Sequence, residues 1–379
     1  MKKHNLHAIA TLIGCTIGAG ILGIPYVVAK SGFLVGLIDI LLIGVAIILV
    51  NLFVGEITLR TKSIHQLCGY AEKYLGLIGK RLMTVTMIFG NYSALIAYLI
   101  GTGQALFILL GFMSAFHFSL VYLVIMAILL YCSLEVFENS ELGFGIIAII
   151  LILFIIGAAI FSKSFNAANL QYYDLSKVFL PYGVILFAFL GAVSIPEMRE
   201  ELKKEEKSLK KCILIGGLIP LAVYVLFALA VLGINGINTT QVATEGLGQV
   251  LGPNMILFGN IFAILNMTTS FLAIGLSLKQ MYSYDFKLNK NLAWLLVWVI
   301  PLFAFSLGIN NFIGVLGIAG ALAGGIEGIL IVLMYYNAKK KGDRKPEYSL
   351  NLPRFAGVFL IALFTAGIAY TILDLLHII

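Results

Sequence analysis

The chain is poor in charge. Of 379 residues only 11% are charged, 61% are hydrophobic, and the mean hydropathy is +1.03. A soluble domain carries roughly a quarter to a third of its surface as charged residues, so a soluble fold is excluded and an integral membrane protein is indicated. Histidine is scarce too. The five (His4, His7, His65, His117, His377) are dispersed, and neither D-x-x-D nor G-x-S-x-G occurs. A membrane enzyme needs such groups clustered, so no enzymatic activity is expected. The four cysteines (Cys15, Cys68, Cys132, Cys212) include no C-x-x-C, which excludes a disulfide framework or a zinc site. A cleavable leader is not expected either: the first apolar run is too long for one and lacks a small-residue cleavage site.

What the chain has is long apolar runs. A spanning helix needs roughly 20 such residues. On that rule there are eleven candidates, helices 1 to 11: 7–29, 33–58, 82–110, 118–136, 142–162, 178–198, 212–235, 254–283, 291–308, 311–336 and 355–377. The expected architecture is a single all-α transmembrane domain over residues 1–379. Helices 4 and 5 are divided only by the polar mark ENSE, and helices 9 and 10 by GINN.

Charge orients these helices. All but three of the 25 Lys and Arg (Lys30, Lys163, Lys177) fall in alternate loops. The positive-inside rule puts those loops and the N-terminus in the cytoplasm, within a multi-pass cytoplasmic membrane protein. The formal net charge of +7 is this topology signal. It forms no continuous stripe, so no nucleic-acid partner is expected. Two cytoplasmic segments do not span. Residues 63–80 read as a short helix along the inner interface. Residues 196–211 (PEMREELKKEEKSLKK) read as helix 6 running on into the cytosol.

Glycine is plentiful, 39 in all, and is placed where a spanning helix is weakest. Residues 14–25 read GCTIGAGILGIP, in the middle of helix 1. Packing through small residues, as in Gly14-x-x-x-Gly18, is one explanation. Helix 6, however, carries a matching interruption at Ala188, Phe189, Leu190 and Gly191. Paired broken helices in corresponding halves point to the binding site of a secondary transporter. They lie five helices apart, so the halves, about 7–162 and 178–336, are inverted repeats, and helix 11 is extra. Free N–H groups at Gly18, Ala19 and Gly20 suit a carboxylate. Carbonyls freed at 188–191 suit an ammonium. Together they suit an amino acid. No acid stands at either break, which favours a neutral substrate.

These residues carry a resemblance. TIGAGILGIPYVVAKSG (16–32) resembles the first-helix signature of the amino acid/auxin permease family, which includes the hydroxy and aromatic amino acid permeases. That family belongs to the amino acid–polyamine–organocation superfamily. FAFLGAVSIPEMREEL (187–202) and TTSFLAIGLSL (268–278) are similar to its helices 6 and 8. The likeness runs from about residue 6 to 336. It implies the five-plus-five fold of the sodium-coupled leucine transporter, alternating access, and substrate held on backbone at Gly18–Ile21 and Ala188–Gly191.

Side-chain candidates for the pocket are Tyr92, Ser93 and Tyr98 on helix 3, Phe187 and Phe189 on helix 6, Asn266 on helix 8 and Ala321 on helix 10. Two coupling ions are open. Thr268, Thr269 and Ser270, with helix 1 carbonyls near Ile13 and Thr16, offer oxygens to sodium. Alternatively, an intramembrane acid carries a proton: Asp39, Glu56 or Glu327, of which Glu327 lies deepest. Beyond a possible sodium ion no cofactor is implied, and nothing in the pattern sets an oligomeric state. A transporter-like amino acid sensor and an ion channel are the other readings of the same features.

Overall fold

The computed structural model describes residues 3–132, 135–284 and 286–378, the side chains of 135–144 and 284 excepted. Among them all regular structure is helical apart from one isolated bridge, Gly32 to Tyr173. Seven helices are long and apolar enough to cross a membrane, or eight if the bent pair Lys3–Thr16 and Gly20–Ser31 counts as one. Three shorter apolar helices join them, Ala115–Tyr131, Gly145–Ile160 and Lys290–Ser306. Large apolar side chains cover the outside: Ile38, Val45, Val124, Ile150 and Phe303 are each at least half exposed. Water does not tolerate such a belt on a soluble protein, whereas lipid requires it.

Helix 1 is thus the pair Lys3–Thr16 and Gly20–Ser31, bent by 53°. Helix 2 is Phe33–Leu59 and follows without a loop, because Gly32 turns the chain at φ 94°. Helix 3, Leu67–Leu110, has a single non-helical residue, Gly76, at φ 75°. That left-handed conformation is strained for any residue with a Cβ. Ahead of the kink lies the short helix expected at 63–80, but its tyrosines do not face lipid. Tyr70 and Tyr74 are buried, and Tyr74 shares a hydrogen bond with Thr61 at 2.7 Å. Helix 4 is Ala115–Tyr131 and helix 5 is Glu135–Ile160. The division expected at ENSE is therefore misplaced, since backbone there is helical. Helix 4 ends instead at Cys132, and the next two residues lie outside the described ones.

Helix 6 comprises Tyr182–Phe189, a 3-10 turn Ala192–Ser194 and Ile195–Glu201. It does not run on into the cytosol as expected. It stops at Glu201 and turns, and helix 7 (Leu209–Asn235) begins eight residues later. Arg199 explains the turn. It is buried, and donates to the carbonyls of Thr58 and Thr61 and, at 2.9 Å, to Glu206 Oε1. A cation at the C-terminal end of helix 2 is favoured by that helix's dipole, and its carboxylate partner folds the chain back. Arg344 holds the other oxygen of Glu206 at 2.7 Å.

Helix 8 is Pro253–Tyr284, helix 9 Lys290–Ser306 and helix 11 Arg354–Leu375. Helix 10 has three parts: Phe312–Ile318, a π-helical turn Ala319–Gly324, and Gly325–Lys341. Helix 3 lies against helices 8 and 10, and helix 7 against helices 1 and 2. Helix 11 packs mainly on helix 10 at the edge of the bundle.

Candidate functional site

The two interruptions meet. A Cβ built on Gly20 would stand 2.6 Å from both Cα and Cβ of Ala188, so only glycine lets helix 1 touch helix 6 there. Gly20 is a close-approach residue. Gly18 is different: a Cβ on it would lie 3.4 Å from the Tyr98 hydroxyl and 3.5 Å from Ser270 Oγ, at ordinary contact distance. Gly14 does not pack at all, since a Cβ there meets nothing within 4 Å. The small-residue packing explanation therefore fits Gly20 and not the Gly14/Gly18 pair.

Backbone groups left over by the breaks can be traced one by one. Gly18 N–H bonds to Thr16 O at 3.0 Å, and Leu22 N–H to Ala19 O at 3.0 Å. Among the described residues Ala19 and Gly20 N–H make no backbone hydrogen bond, whereas Ile21 N–H bonds to Gly18 O at 3.4 Å; Ala19 and Gly20 begin the second half of helix 1. At helix 6, Leu190 is extended (φ −62°, ψ 118°). Gly191 O accepts from Ser194 N–H at 3.1 Å and from its hydroxyl at 2.8 Å. No donor reaches Phe189 O or Leu190 O among the described residues. The breaks therefore offer two N–H groups on one side and two carbonyls on the other, in a buried setting. Unpaired buried backbone is costly unless a ligand supplies the partners.

Two side chains hold this arrangement. Asn266 on helix 8 donates to Gly18 O at 2.9 Å. Tyr224 on helix 7 lies 2.8 Å from both Thr16 O and Ala188 O. One hydroxyl thus bridges the two breaks, and its ring packs edge-on against Phe189 at 4.9 Å. Tyr224 was absent from the sequence expectations, because a lone tyrosine in an apolar helix looks like core.

The remaining candidates divide. Tyr98 and Asn266 are buried beside Gly18. Tyr92 faces away, bonded to the Tyr282 hydroxyl at 2.9 Å and to Leu296 O. Phe189 points toward Tyr224 and Gly44. Thr269 donates back to Leu265 O at 3.2 Å and Asn266 O at 3.0 Å, while Ser270 stands by Gly18. Consecutive helical residues point about 100° apart, so the three hydroxyls do not share one centre. Ile13 O accepts from Ile17 N–H at 2.7 Å, and Thr16 O already has two donors. Of the oxygens expected to hold sodium, Ile13 O, Thr16 O and Thr269 Oγ1 are engaged within the protein in this conformation.

The acids also divide. Glu56 is fully buried but well partnered, by Arg60 at 2.8 Å, Ser349 at 2.9 Å and Leu350 N–H at 2.6 Å. Its role is to seat the segment after helix 10 on helix 2. Asp39 is buried with one oxygen unpaired. Glu327 is 8% exposed and bonds to nothing among the described residues. It faces a small cavity shared with Asn51 and Leu190–Ala192. Asn51 was also missed. Its signal, an isolated amide inside the apolar run of helix 2, was legible.

Comparison with known proteins gives the context of this site. "Glutamine transporter 2" of Aliivibrio fischeri is 22% identical over 353 residues, 90% of this chain and 91% of that protein. "Tyrosine-specific transport system 1" of Haemophilus influenzae is 26% identical over 357 residues, 88% of each chain. "Tyrosine-specific transport system 2" of the same organism is 26% identical over 360 residues, 85% of each. A bundle of apolar helices that meet at two broken segments fits a transporter and not an enzyme. The model of the tryptophan/tyrosine permease family matches residues 1–373, and the chain belongs to that family.

Proposed function

We propose that the protein is a secondary active transporter that moves neutral amino acids across the cytoplasmic membrane by alternating access. The observation that carries this reading is the meeting of the two breaks. Ala19 and Gly20 offer N–H groups, Phe189 and Leu190 offer carbonyls, and Tyr224 ties the two sides. Such a site takes both ends of a zwitterion. The relatives' names cite tyrosine and glutamine, both neutral amino acids. Eleven spans in a five-plus-five inverted repeat accord with eight long spans plus three shorter apolar helices. On this reading the amino acid/auxin permease likeness extends to the wider superfamily.

The positive-inside pattern puts the N-terminus in the cytoplasm. Gly14 and Cys15 are exposed just before the break, between buried Ile13 and Thr16. Ser277 and Gln280 are exposed on the inner half of helix 8. These surfaces suit an inward-facing conformation. For coupling, engagement of the helix 1 carbonyls and of Thr269 favours a proton over sodium.

The test is uptake of a labelled amino acid panel into proteoliposomes, with sodium and pH gradients imposed separately. Neutral amino acids are expected to accumulate, and branched or aromatic ones to compete best. N-acetylated or decarboxylated analogues competing as well as the parent would refute the zwitterion argument. No uptake or exchange of any amino acid would refute transport itself.

A further inference from the structure

We infer that Glu327 and Asn51, which both line the cavity behind the helix 6 break, form the site that binds the transported proton. The inference rests on the transport reading above and assigns its coupling site.

The cavity lies between three elements. Helix 2 contributes Asn51, helix 6 contributes Leu190 to Ala192, and helix 10 contributes Glu327. About 10 Å³ is open to the centre of a water, which is room for one molecule. Its two polar side chains are buried, Asn51 to 3% exposure and Glu327 to 8%. Asn51 Oδ1 has no hydrogen-bond partner. Glu327 makes neither a hydrogen bond nor an ion pair among the described residues. A buried acceptor and a buried acid facing one small space, both unpartnered, make a site rather than a packing defect. The backbone supports this. Glu327 lies three residues after the π-helical turn Ala319–Gly324. Turns of that kind recur at functional sites, because they displace one side chain from the helical register.

The chemistry favours a proton over a metal ion. A hard cation gathers about six oxygens, whereas this space offers one carboxyl, one amide oxygen and room for one water. An ionised carboxylate here has no cation facing it. Titratable groups on the packed elements are directed elsewhere. On helix 2, Glu56 is paired with Arg60, and Asp39 is twelve residues away, about 18 Å along the axis. On helix 3, Tyr92 is bonded to Tyr282, and Tyr98 stands by Gly18. Tyr182 of helix 6 is directed to helix 11, whose Tyr370 stacks on Phe179. On helix 10 itself, Tyr335 bonds to Leu350 O. Asp374 lies at the far end of helix 11, and none of these residues lines the cavity.

The step balances simply. Hydronium delivers a proton to a Glu327 oxygen, an O–H bond forms, and one water is released. The site goes from one negative charge to none. The new O–H then donates to Asn51 Oδ1, directly or through the one water the cavity has room for. Coupling follows from the shared segment: Leu190 lines the cavity and also carries one of the two free carbonyls of the proposed amino acid site. A substrate that orders this backbone changes the space in which the proton sits, and linkage makes the effect reciprocal.

The experiment measures substrate exchange and acid-driven uptake in proteoliposomes as a function of pH. For the parent protein, substrate affinity is expected to rise about tenfold from pH 8 to pH 5.5. In Glu327→Gln the pH dependence and acid-driven accumulation should vanish, while exchange persists. Glu327→Asp, which keeps a titratable group, should restore a pH dependence. Asn51→Ala removes the acceptor of the protonated form, so its pH midpoint should move down by about one unit. Glu245→Gln, outside the cavity, should keep the parent's pH dependence. If Glu327→Gln fails to fold, the Asn51→Ala shift decides alone. Acid-driven uptake by Glu327→Gln, an unmoved midpoint in Asn51→Ala, or sodium-driven and pH-independent exchange by the parent would each overturn the inference. In those cases amino acid exchange still occurs, so the transport reading stands; absence of all exchange by the parent would sink that reading instead.

Discussion

Replacing Tyr224 by phenylalanine removes a single oxygen and leaves the ring. The ring contact with Phe189, at 4.9 Å, is retained, so packing should survive. What is lost is the bridge to Thr16 O and Ala188 O, each at 2.8 Å. Thr16 O keeps its bond from Gly18 N–H, but Ala188 O keeps no partner among the described residues. A hydroxyl has one proton, so the bridge is worth about one hydrogen bond, roughly 1 kcal/mol. Leaving Ala188 O buried and unpaired adds to this, for a total of about 1–3 kcal/mol. Part should appear as stability, read as a fall of the unfolding midpoint in detergent. Part should appear at the site, because Ala188 and Thr16 flank the groups proposed to hold the substrate. Taking about 1.4 kcal/mol of that total as the share at the site, affinity should weaken about tenfold. Equilibrium binding of labelled substrate by purified Tyr224→Phe checks this, with Tyr224→Leu as the variant that loses the ring as well. Parent-like affinity and an unshifted midpoint in Tyr224→Phe would refute the claim that this hydroxyl ties the breaks.

Three further outcomes are expected. Gly18→Ala should fold normally yet bind substrate poorly, since its methyl fits beside Tyr98 and Ser270 but fills ligand space. Gly20→Ala should lose about 1–3 kcal/mol of stability through its clash with Ala188; equal effects of the two changes in melting and binding assays would contradict the distinction. Arg199→Ala leaves buried carbonyls and Glu206 short of a donor and should cost about 3–5 kcal/mol, read in denaturation. Burial pushes the Glu245 carboxyl, on the short helix Ala243–Leu251, up to about 7 from the ordinary 4.5. A raised folded-state value means that the native state binds the extra proton, so its stabilising effect is present at low pH and is lost as pH rises from about 4.5 through about 7. Melting of the parent should therefore fall between pH 5 and 8 more steeply than that of Glu245→Gln, and parallel profiles would refute the assignment.

Much of the molecule was legible in its composition. A bilayer imposes a rule that a sequence must obey in the open: spans are long and apolar, and their backbone must be paired. Helices therefore announced themselves, and so did the places where they break, since the chain departs from helix at 17–19, beside GAG, and at 190–191, at the end of the run 188–191. Boundaries set by side-chain contacts were not legible. ENSE looked like a loop and is helical, and the charged stretch after Pro196 looked like a helix and turns back, because Arg199 finds Thr58, Thr61 and Glu206. The site divided in the same way. That the chain breaks near Gly18, Gly20 and Gly191 could be read from glycine in mid-helix. Only the tertiary structure decided which glycine faces Tyr98 and which touches Ala188, since neighbouring positions differ by the direction of a missing Cβ. It alone brought Tyr224 to both breaks and Asn51 to the cavity that Glu327 faces. Sequence periodicity fixes which residues share a helix face; contacts between helices distant in the chain depend on how those faces pack.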